Sequence, residues 1–426
     1  MKKILSTAVV TSLISTAAAA QTCPGAATLT RGVAQPLAAV RYLADDALGG
    51  RMSGTFGERC AGDYIAAEMR RIGLEPAGDG GTWYQAVPLA SAINPHAPGG
   101  TGRNVLGRLR GADPALRDEI VVVGAHYDHL GEGGQFSLAP GERAIHNGAD
   151  DNASGVAALL EVARRMKAGP RPARTVVFIA FTGEEEGLLG SAHFARSALL
   201  PLERTRAMLN MDMVGRLGAG PLIVYGTETA EEWQGIVDAA AGAEGVAVRG
   251  SGDGFGASDQ TSFYARGLPV LHFFTNVHED YHRPSDDWQK IDAPGLAKVA
   301  GVVTRVAREV AGRPGALTFR RAEPPKQAAT AAVTPGYGAY LGSIPDFAPV
   351  ERGVKLTGVR AGSPAEQAGI RAGDIIVKMG DMDVADLQGL TDALRAHKPG
   401  DVVPVTVLRD GREVTVTVTL GTRAAG

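Results

Sequence analysis

A chain of 426 residues is too long for one average domain and predicts about two. Hydrophobic residues at 44% and charged residues at 21% exclude both a disordered chain and a bundle of membrane helices. Its 43 basic and 46 acidic side chains leave a formal charge of −3, too mild an imbalance to form a footprint for nucleic acid or anionic lipid.

Residues 1–20 read as an export signal. Lys2 and Lys3 form its positive end, Ile4 to Ile14 its short apolar stretch, and Ala18-Ala19-Ala20 a small-residue cleavage site. The stretch is too short and too interrupted for a spanning helix, which needs about 20 apolar residues. A periplasmic or secreted protein is expected. Cys23 and Cys60 both lie beyond the leader, and an oxidising compartment permits a disulfide between them; two buried thiols are the alternative.

From about Leu37 to Gly73 the pattern is helical, with Tyr64, Ile65, Met69 and Ile72 on one face and Gly73 as a stop. Glu119 to Gly124 is a strand of buried type, and Ser154 to Lys167 an amphipathic helix ended by Gly169-Pro170. Thr175 to Phe181, Ala207 to Asp212 and Pro269 to Phe274 are further apolar strands, and Ala293 to Val310 is the last helix of this unit. Apolar strands alternating with helices predict an α/β fold with a mainly parallel sheet covered on both faces. Residues 313–335, with Pro314, Pro324, Pro325 and Pro335, read as a linker. Beyond it, Val402 to Leu408 and Glu413 to Leu420 alternate as strands around an Asp410-Gly411 turn. The domains expected are 1–20 (leader), 21–312 (α/β unit), 313–335 (linker) and 336–422 (small, mostly β).

Polar residues recur where the predicted strands end. His126-Tyr127-Asp128 follows the first strand and Gly148 to Asn152 precedes the helix. Glu184-Glu185-Glu186 follows the next strand, Asp212 ends the one after it, and His282 lies just past the last. Sites in open α/β sheets form outside the carboxyl ends of strands, so one rim would receive two imidazoles and several carboxylates. That set suits a pair of borderline-soft cations, which would polarise a carbonyl and acidify a shared water. A carboxylate that is not a ligand is also needed to carry the proton, and the adjacent Glu184 and Glu185 supply a base and a ligand.

The segments Gly124 to Asp128, Gly148 to Gly155, Gly183 to Ser191, Asn210 to Met213 and Asp280 to Pro284 resemble the signature blocks of the co-catalytic dizinc aminopeptidases, of the exported bacterial type. They stand in that family's order, within about Leu37 to Val310. The resemblance implies a phosphorylase/hydrolase-like zinc exopeptidase core with a mixed sheet sandwiched by helices, two Zn2+ ions, and peptide substrates with a free N-terminus. It gives His126 and Asp212 to one zinc and Glu185 and His282 to the other, with Asp151 bridging. Glu184 becomes the general base and acid, Tyr281 a donor to the oxyanion, and Asp128 the group that orients His126. A cis Asp151-Asn152 peptide is implied too. Where many relatives carry His, Ser258 to Phe263 carries Gln260, so no role follows for that segment. No insertion between Ala86 and Asn104 is long enough for the lid domain of some relatives.

Blander readings apply to the rest. Glu186 is expected on the solvated surface, Asp150 in a structural role, and His272 as a satisfied core residue. His129, His146 and His278 lie near the rim without an assigned role. Gly250 to Gly256 reads as a mobile loop, since no Lys-Ser/Thr pair follows it as in a phosphate loop. Ser53 and Ser191 have no setting of a nucleophile.

Val359 to Ile370 with Ala372 to Ile376 is similar to bacterial PDZ domains, and Tyr340 to Ile344 resembles their carboxylate-binding loop. The implied partner is a peptide C-terminus added to a sheet edge. Two alternatives stand beside the aminopeptidase. One is another activity on the same core, either a carboxypeptidase, for which Arg143 or Arg216 would have to meet a carboxylate, or a one-zinc glutaminyl cyclase. The other is a catalytically silent protein centred on PDZ binding.

Overall fold

The computed structural model describes residues 22–89, 99–321 and 339–421, save 135, 140–141, 253, 257, 346–349, 351, 361 and 386. The expected leader and most of the expected linker lie outside the described residues. Among the described residues the first α-helices are α1 (Ala26–Leu29), α2 (Leu37–Leu43) and α3 (Phe56–Ile72). Thr55 caps α3 by accepting from the Glu58 amide, and Gly73 ends it in the left-handed conformation at φ 85°. Cys23 and Cys60 are joined by a disulfide, which pins the first turns of the described chain to α3.

Nine strands follow: β1 (Glu75–Pro76), β2 (Tyr84–Pro88), β3 (Thr101–Leu109), β4 (Ile120–His126), β5 (Thr175–Phe181), β6 (Thr205–Met211), β7 (Leu222–Tyr225), β8 (Val248–Ser251) and β9 (Val270–Phe274). They form one sheet in the order β1-β3-β5-β4-β6-β9-β7-β8, with β2 also on β3. The central four, β5, β4, β6 and β9, run parallel, so their carboxyl ends open on the same rim. β3 and β7 are antiparallel to this block, which makes the sheet mixed. Gly250, expected in a loop, and its neighbour Ser251 belong to the edge strand β8.

Every residue of β4 and β5 is buried, as their unbroken apolar runs require of strands covered on both faces. The helices α4 (Gly155–Ala168) and α8 (Ala293–Gly312) pack on one face of the sheet, with α6 (Trp233–Glu244) against α8. The short helices α5 (Leu189–Arg196) and α7 (Gln260–Tyr264) cover the other face. There Phe181, Phe194 and Phe263 meet with ring centroids 5.8–6.4 Å apart. Asp292 caps α8 through the Gly295 amide. Past α8, Leu317 packs into the core and Arg320 N donates to Thr229 O. Among the described residues no helix is long and apolar enough to cross a membrane.

The C-terminal unit has its own sheet and core. Its strands are β10 (Ser343–Pro345), β11 (Val354–Val359), β12 (Ile375–Met379), β13 (Met382–Asp383), β14 (Val402–Arg409) and β15 (Arg412–Thr419), ordered β10-β11-β12-β14-β15 with β13 on β12. Among the described residues they are accompanied by α9 (Pro364–Gln367) and α10 (Leu387–Ala396). The buried Asp374 accepts two bonds from Arg409, at 2.7 and 2.8 Å, and so ties the start of β12 to the end of β14.

Candidate metal centre

Four strand ends and one helix entry supply the site. His126 is the last residue of β4, Glu184 and Glu185 follow β5, and Asp212 follows β6 directly. His282 lies in the loop after β9, and Asp151 in the tight turn leading into α4. That turn contains the cis peptide Asp151-Asn152. Its Asn152 side chain donates to Met211 O and accepts from the Gly155 and Met213 amides, locking α4 onto the end of β6. Gly155 is needed there, because a Cβ would stand 2.2 Å from Asn152 Oδ1 and 2.5 Å from Met211 O.

The residues expected from the sequence converge. Asp151 divides its oxygens, Oδ1 lying 3.3 Å from His126 Nε2 and Oδ2 3.1 Å from His282 Nε2. Asp212 Oδ1 is also 3.3 Å from His126 Nε2, and Glu185 Oε2 is 3.3 Å from His282 Nε2. Glu184 Oε2 stands 3.9 Å from His126 Nε2. Tyr281 stacks on His282 with ring centroids 3.9 Å apart. His282 and Met213 hold left-handed backbone at φ 53° and 51°, conformations that non-glycine residues keep only where the surroundings impose them.

Both imidazoles are aimed through their far nitrogens. His282 Nδ1 is 2.9 Å from Phe136 O and His126 Nδ1 is 3.2 Å from Asp128 O. Carbonyl oxygens only accept, so each Nδ1 donates and each Nε2 is turned toward the carboxylates of the site. The Asp128 carboxylate is further from His126, at 3.8 Å. It accepts instead from the Glu184 and Glu185 amides and from Ser53 Oγ, so it also fixes the turn carrying both glutamates.

Burial alone would push the His126 and His282 imidazoliums down, but the facing carboxylates outweigh it and hold both well above the ordinary value. Glu185 is held at about 2 because His282 and the hydrogen bonds to His129 and His282 overcome burial. Glu184 goes the opposite way: burial, reinforced by Asp212 and Glu185, holds it well above the usual carboxylate range.

A divalent cation fits these residues. Among the described residues Asp212 Oδ1 is buried without a hydrogen-bond partner, with His126 Nε2 facing it at 3.3 Å, and a cation bound here would offset the cost of burying the carboxylate. Ligand atoms of His126, Glu184 and Asp212 lie within 4.8 Å of one another, as do those of His129, Asp151 and Glu185. The mixed nitrogen and oxygen donor set is the kind zinc takes. At the second position two imidazoles, His282 and His129, face the two oxygens of Glu185.

Other expectations need correction. Glu186 is buried, its carboxyl raised to about 8 by desolvation and by the nearby charges of Asp128 and Glu185. The turn that brings the Gly187 and Leu188 amides back to Glu184 O draws it inward. His272 lies in the core as expected, but its Nε2 has no hydrogen-bond partner among the described residues. His146 does not reach the rim surface; it is buried, with Nε2 2.8 Å from Ser137 Oγ. Asp150 has the structural role expected, accepting from the Gly215 amide and pairing with His278 at 3.1 Å. Gln260 accepts from Asn210 Nδ2, and Asp259 beside it is buried and raised to about 7, chiefly by desolvation.

Sequence reasoning missed two supports. Asp286 accepts from the Asp150 and Asp151 amides, and Arg216 bridges it to Asp280. Arg51 is fully buried and donates to Tyr127 O, Asn147 O, Gly148 O and Leu43 O, linking the segment of His126 to the segment of Asp151. The Gly49-Gly50-Arg51 turn is the only sequence signal for it, since single arginines are usually solvated.

The profile described as Peptidase family M28 matches residues 104–307, which hold every one of the converging side chains. That segment is a Peptidase family M28 domain. A PDZ domain matches residues 341–420, and the second sheet belongs to it. Among curated relatives of the M28 domain, a probable leucine aminopeptidase of Arthroderma benhamiae is 30% identical over 214 residues, 48% of this chain and 57% of its own. Aminopeptidase YwaD of Bacillus subtilis is 29% identical, with 49% of this chain and 45% of its own covered. The chain thus spans about half the length of the curated relatives it matches. Two solved structures share the M28 fold. A zinc-dependent exopeptidase of Parabacteroides distasonis has a TM-score of 0.53 and 23% identity over 64% of this chain and 97% of its own. A glutaminyl cyclase of Porphyromonas gingivalis has a TM-score of 0.53 and 21% identity over 64% and 96%.

Proposed function

We propose that this chain is an exported aminopeptidase that uses two zinc ions to hydrolyse the N-terminal peptide bond. The observation that carries the reading is Asp151, whose two oxygens face His126 and His282 at 3.3 and 3.1 Å, the arrangement a bridging carboxylate requires. His126 and Asp212 would hold one ion and Glu185 and His282 the other. When bound, the pair would supply Lewis acidity toward the scissile carbonyl and toward the attacking water. The chain's own groups do the rest. Glu184 takes the water's proton and returns it to the leaving amine, a task suited to a carboxyl whose burial and carboxylate neighbours raise its proton affinity. Asp128 keeps Glu184 and Glu185 in place through their amides. Tyr281, stacked on His282, would donate to the developing oxyanion. Surplus carboxylates at the rim would compensate the substrate's ammonium and so select a free N-terminus.

Competing readings fare worse on the same geometry. A carboxypeptidase needs a cation free for the substrate carboxylate, but Arg216 is held by Asp280 and Asp286 and Arg143 stands exposed. A one-zinc cyclase would not need both faces of Asp151. Export is supported by the Cys23–Cys60 disulfide, which persists in oxidising compartments. The PDZ domain would take a peptide C-terminus at its sheet edge. The test is hydrolysis of aminoacyl-p-nitroanilides beside their N-acetylated forms, with a glutaminyl peptide to detect cyclisation. Turnover of free amines alone, abolished by chelation and restored by zinc, supports the reading; cyclisation, or no turnover by zinc-loaded protein, overturns it.

A further inference from the structure

His129 is the one imidazole at the centre to which neither the family blocks nor the mechanism gives a task, and it is too elaborately held to be incidental. Its side chain is fully shielded from solvent, and its Nδ1 lies 2.7 Å from Glu185 Oε1. The backbone is fixed as well, the His129 amide donating to Arg51 O at 3.2 Å. The ring lies against Gly148, where a Cβ would come within 2.5 Å of His129 Cδ2 and 2.6 Å of Cγ. Gly148 holds φ 51°, so this position both requires glycine and leaves the space the imidazole fills. Edge to face, His129 meets His282 with centroids 5.8 Å apart.

The two oxygens of Glu185 are thereby given different work. Oε2 faces His282 Nε2 at 3.3 Å, and Oε1 is taken by His129. An ionised carboxylate only accepts, so His129 Nδ1 is the donor to Glu185 Oε1. Its Nε2 is buried and has no hydrogen-bond partner among the described residues, so the bond to Glu185 is the ring's one polar tie there. The geometry points to His129 as a positioning residue that fixes Glu185 through a hydrogen bond to Oε1, so that Glu185 meets its metal ion through Oε2 alone. This inference rests on the dizinc reading above. Carboxylates that ligate metals are themselves hydrogen-bonded, and loss of such a partner weakens metal affinity about 10–100-fold.

The experiment compares zinc binding by the full-length wild type, His129→Ala and His129→Asn, by titrating apo protein in competition with a chromophoric chelator. Asn places its amide N–H near where Nδ1 stands but is a poor zinc ligand. His129→Ala is expected to weaken one of the two zinc sites about 10–100-fold and leave the other unchanged, while His129→Asn stays within about threefold of wild type. Unchanged affinity in His129→Ala overturns the inference, as does a His129→Asn variant as weak as His129→Ala, which would make the ring itself a ligand. Thermal unfolding of the apo proteins separates a packing effect, which lowers Tm without weakening one site selectively. A wild type that binds fewer than two zinc ions fails the dizinc reading, independently of the variants.

Discussion

Arg51 offers the sharpest test of how the His126 and Asp151 segments of the candidate metal centre are held together. Replacing it with Met keeps most of the buried volume but removes donors from Tyr127 O (2.8 Å), Asn147 O (2.7 Å), Gly148 O (3.1 Å) and Leu43 O. Burial lowers the guanidinium to about 10, against the pull of Asp128, Asp151 and Asp286, so it remains charged at neutral pH. Bonds from a charged donor contribute about 1.5–3 kcal/mol each. With about 2 kcal/mol lost at each acceptor, and about 4 kcal/mol recovered by no longer burying an ion, the net destabilisation is about 4 kcal/mol. In a domain of this size that lowers Tm by about 10 °C. Arg51→Lys retains the charge but cannot span the four carbonyls, and should fall between wild type and Arg51→Met. Urea unfolding of the oxidised, zinc-loaded proteins measures both. A loss below about 1 kcal/mol for Arg51→Met would refute the clamp.

Three further outcomes are expected. Glu184→Gln should lower kcat about 10²–10⁴-fold while zinc content, read by elemental analysis, stays unchanged; near-wild-type turnover would remove Glu184 from the proton path. Replacing Cys23 and Cys60 together with Ser opens a link across 37 positions and should cost about 4 kcal/mol in urea unfolding, with loss under about 1 kcal/mol counting against it. Glu58 accepts from Tyr127 and Thr182, yet burial raises its pKa in the folded chain. The folded state therefore keeps a proton that the unfolded chain loses near pH 4.3. Stability from neutral Glu58 is full below that pH and is lost as pH rises through the folded value. Glu58→Gln should flatten the fall of the urea midpoint from pH 4.5 to 8; parallel profiles would contradict this.

The convergence of the candidate site's side chains was legible because they sit at the ends of strands whose sequences admit little ambiguity. Val121 to Val123 and Val176 to Phe181 are apolar throughout, so the residues after them had to lie on one rim of a parallel sheet. The Cys23–Cys60 pairing was open in the sequence, because spacing does not determine whether two cysteines approach. β1, β7 and β8 escaped notice because two to four residues give no readable period. Arg51, Glu58 and Asp286 were invisible for another reason. A charged residue reads as solvated unless its partners are known, and theirs are backbone groups and side chains far along the chain. Glu186 failed likewise: an acidic triplet looks like surface until the turn at Leu188 folds it inward.

Two ions held across Asp151 are the central claim, and an anomalous-difference map of zinc-soaked crystals at the zinc absorption edge tests it most directly. The account predicts two peaks about 3.5–4 Å apart, one beside His126 and Asp212 and the other beside Glu185 and His282, with Asp151 between them. A single peak at full zinc loading, or peaks away from Asp151, would contradict it.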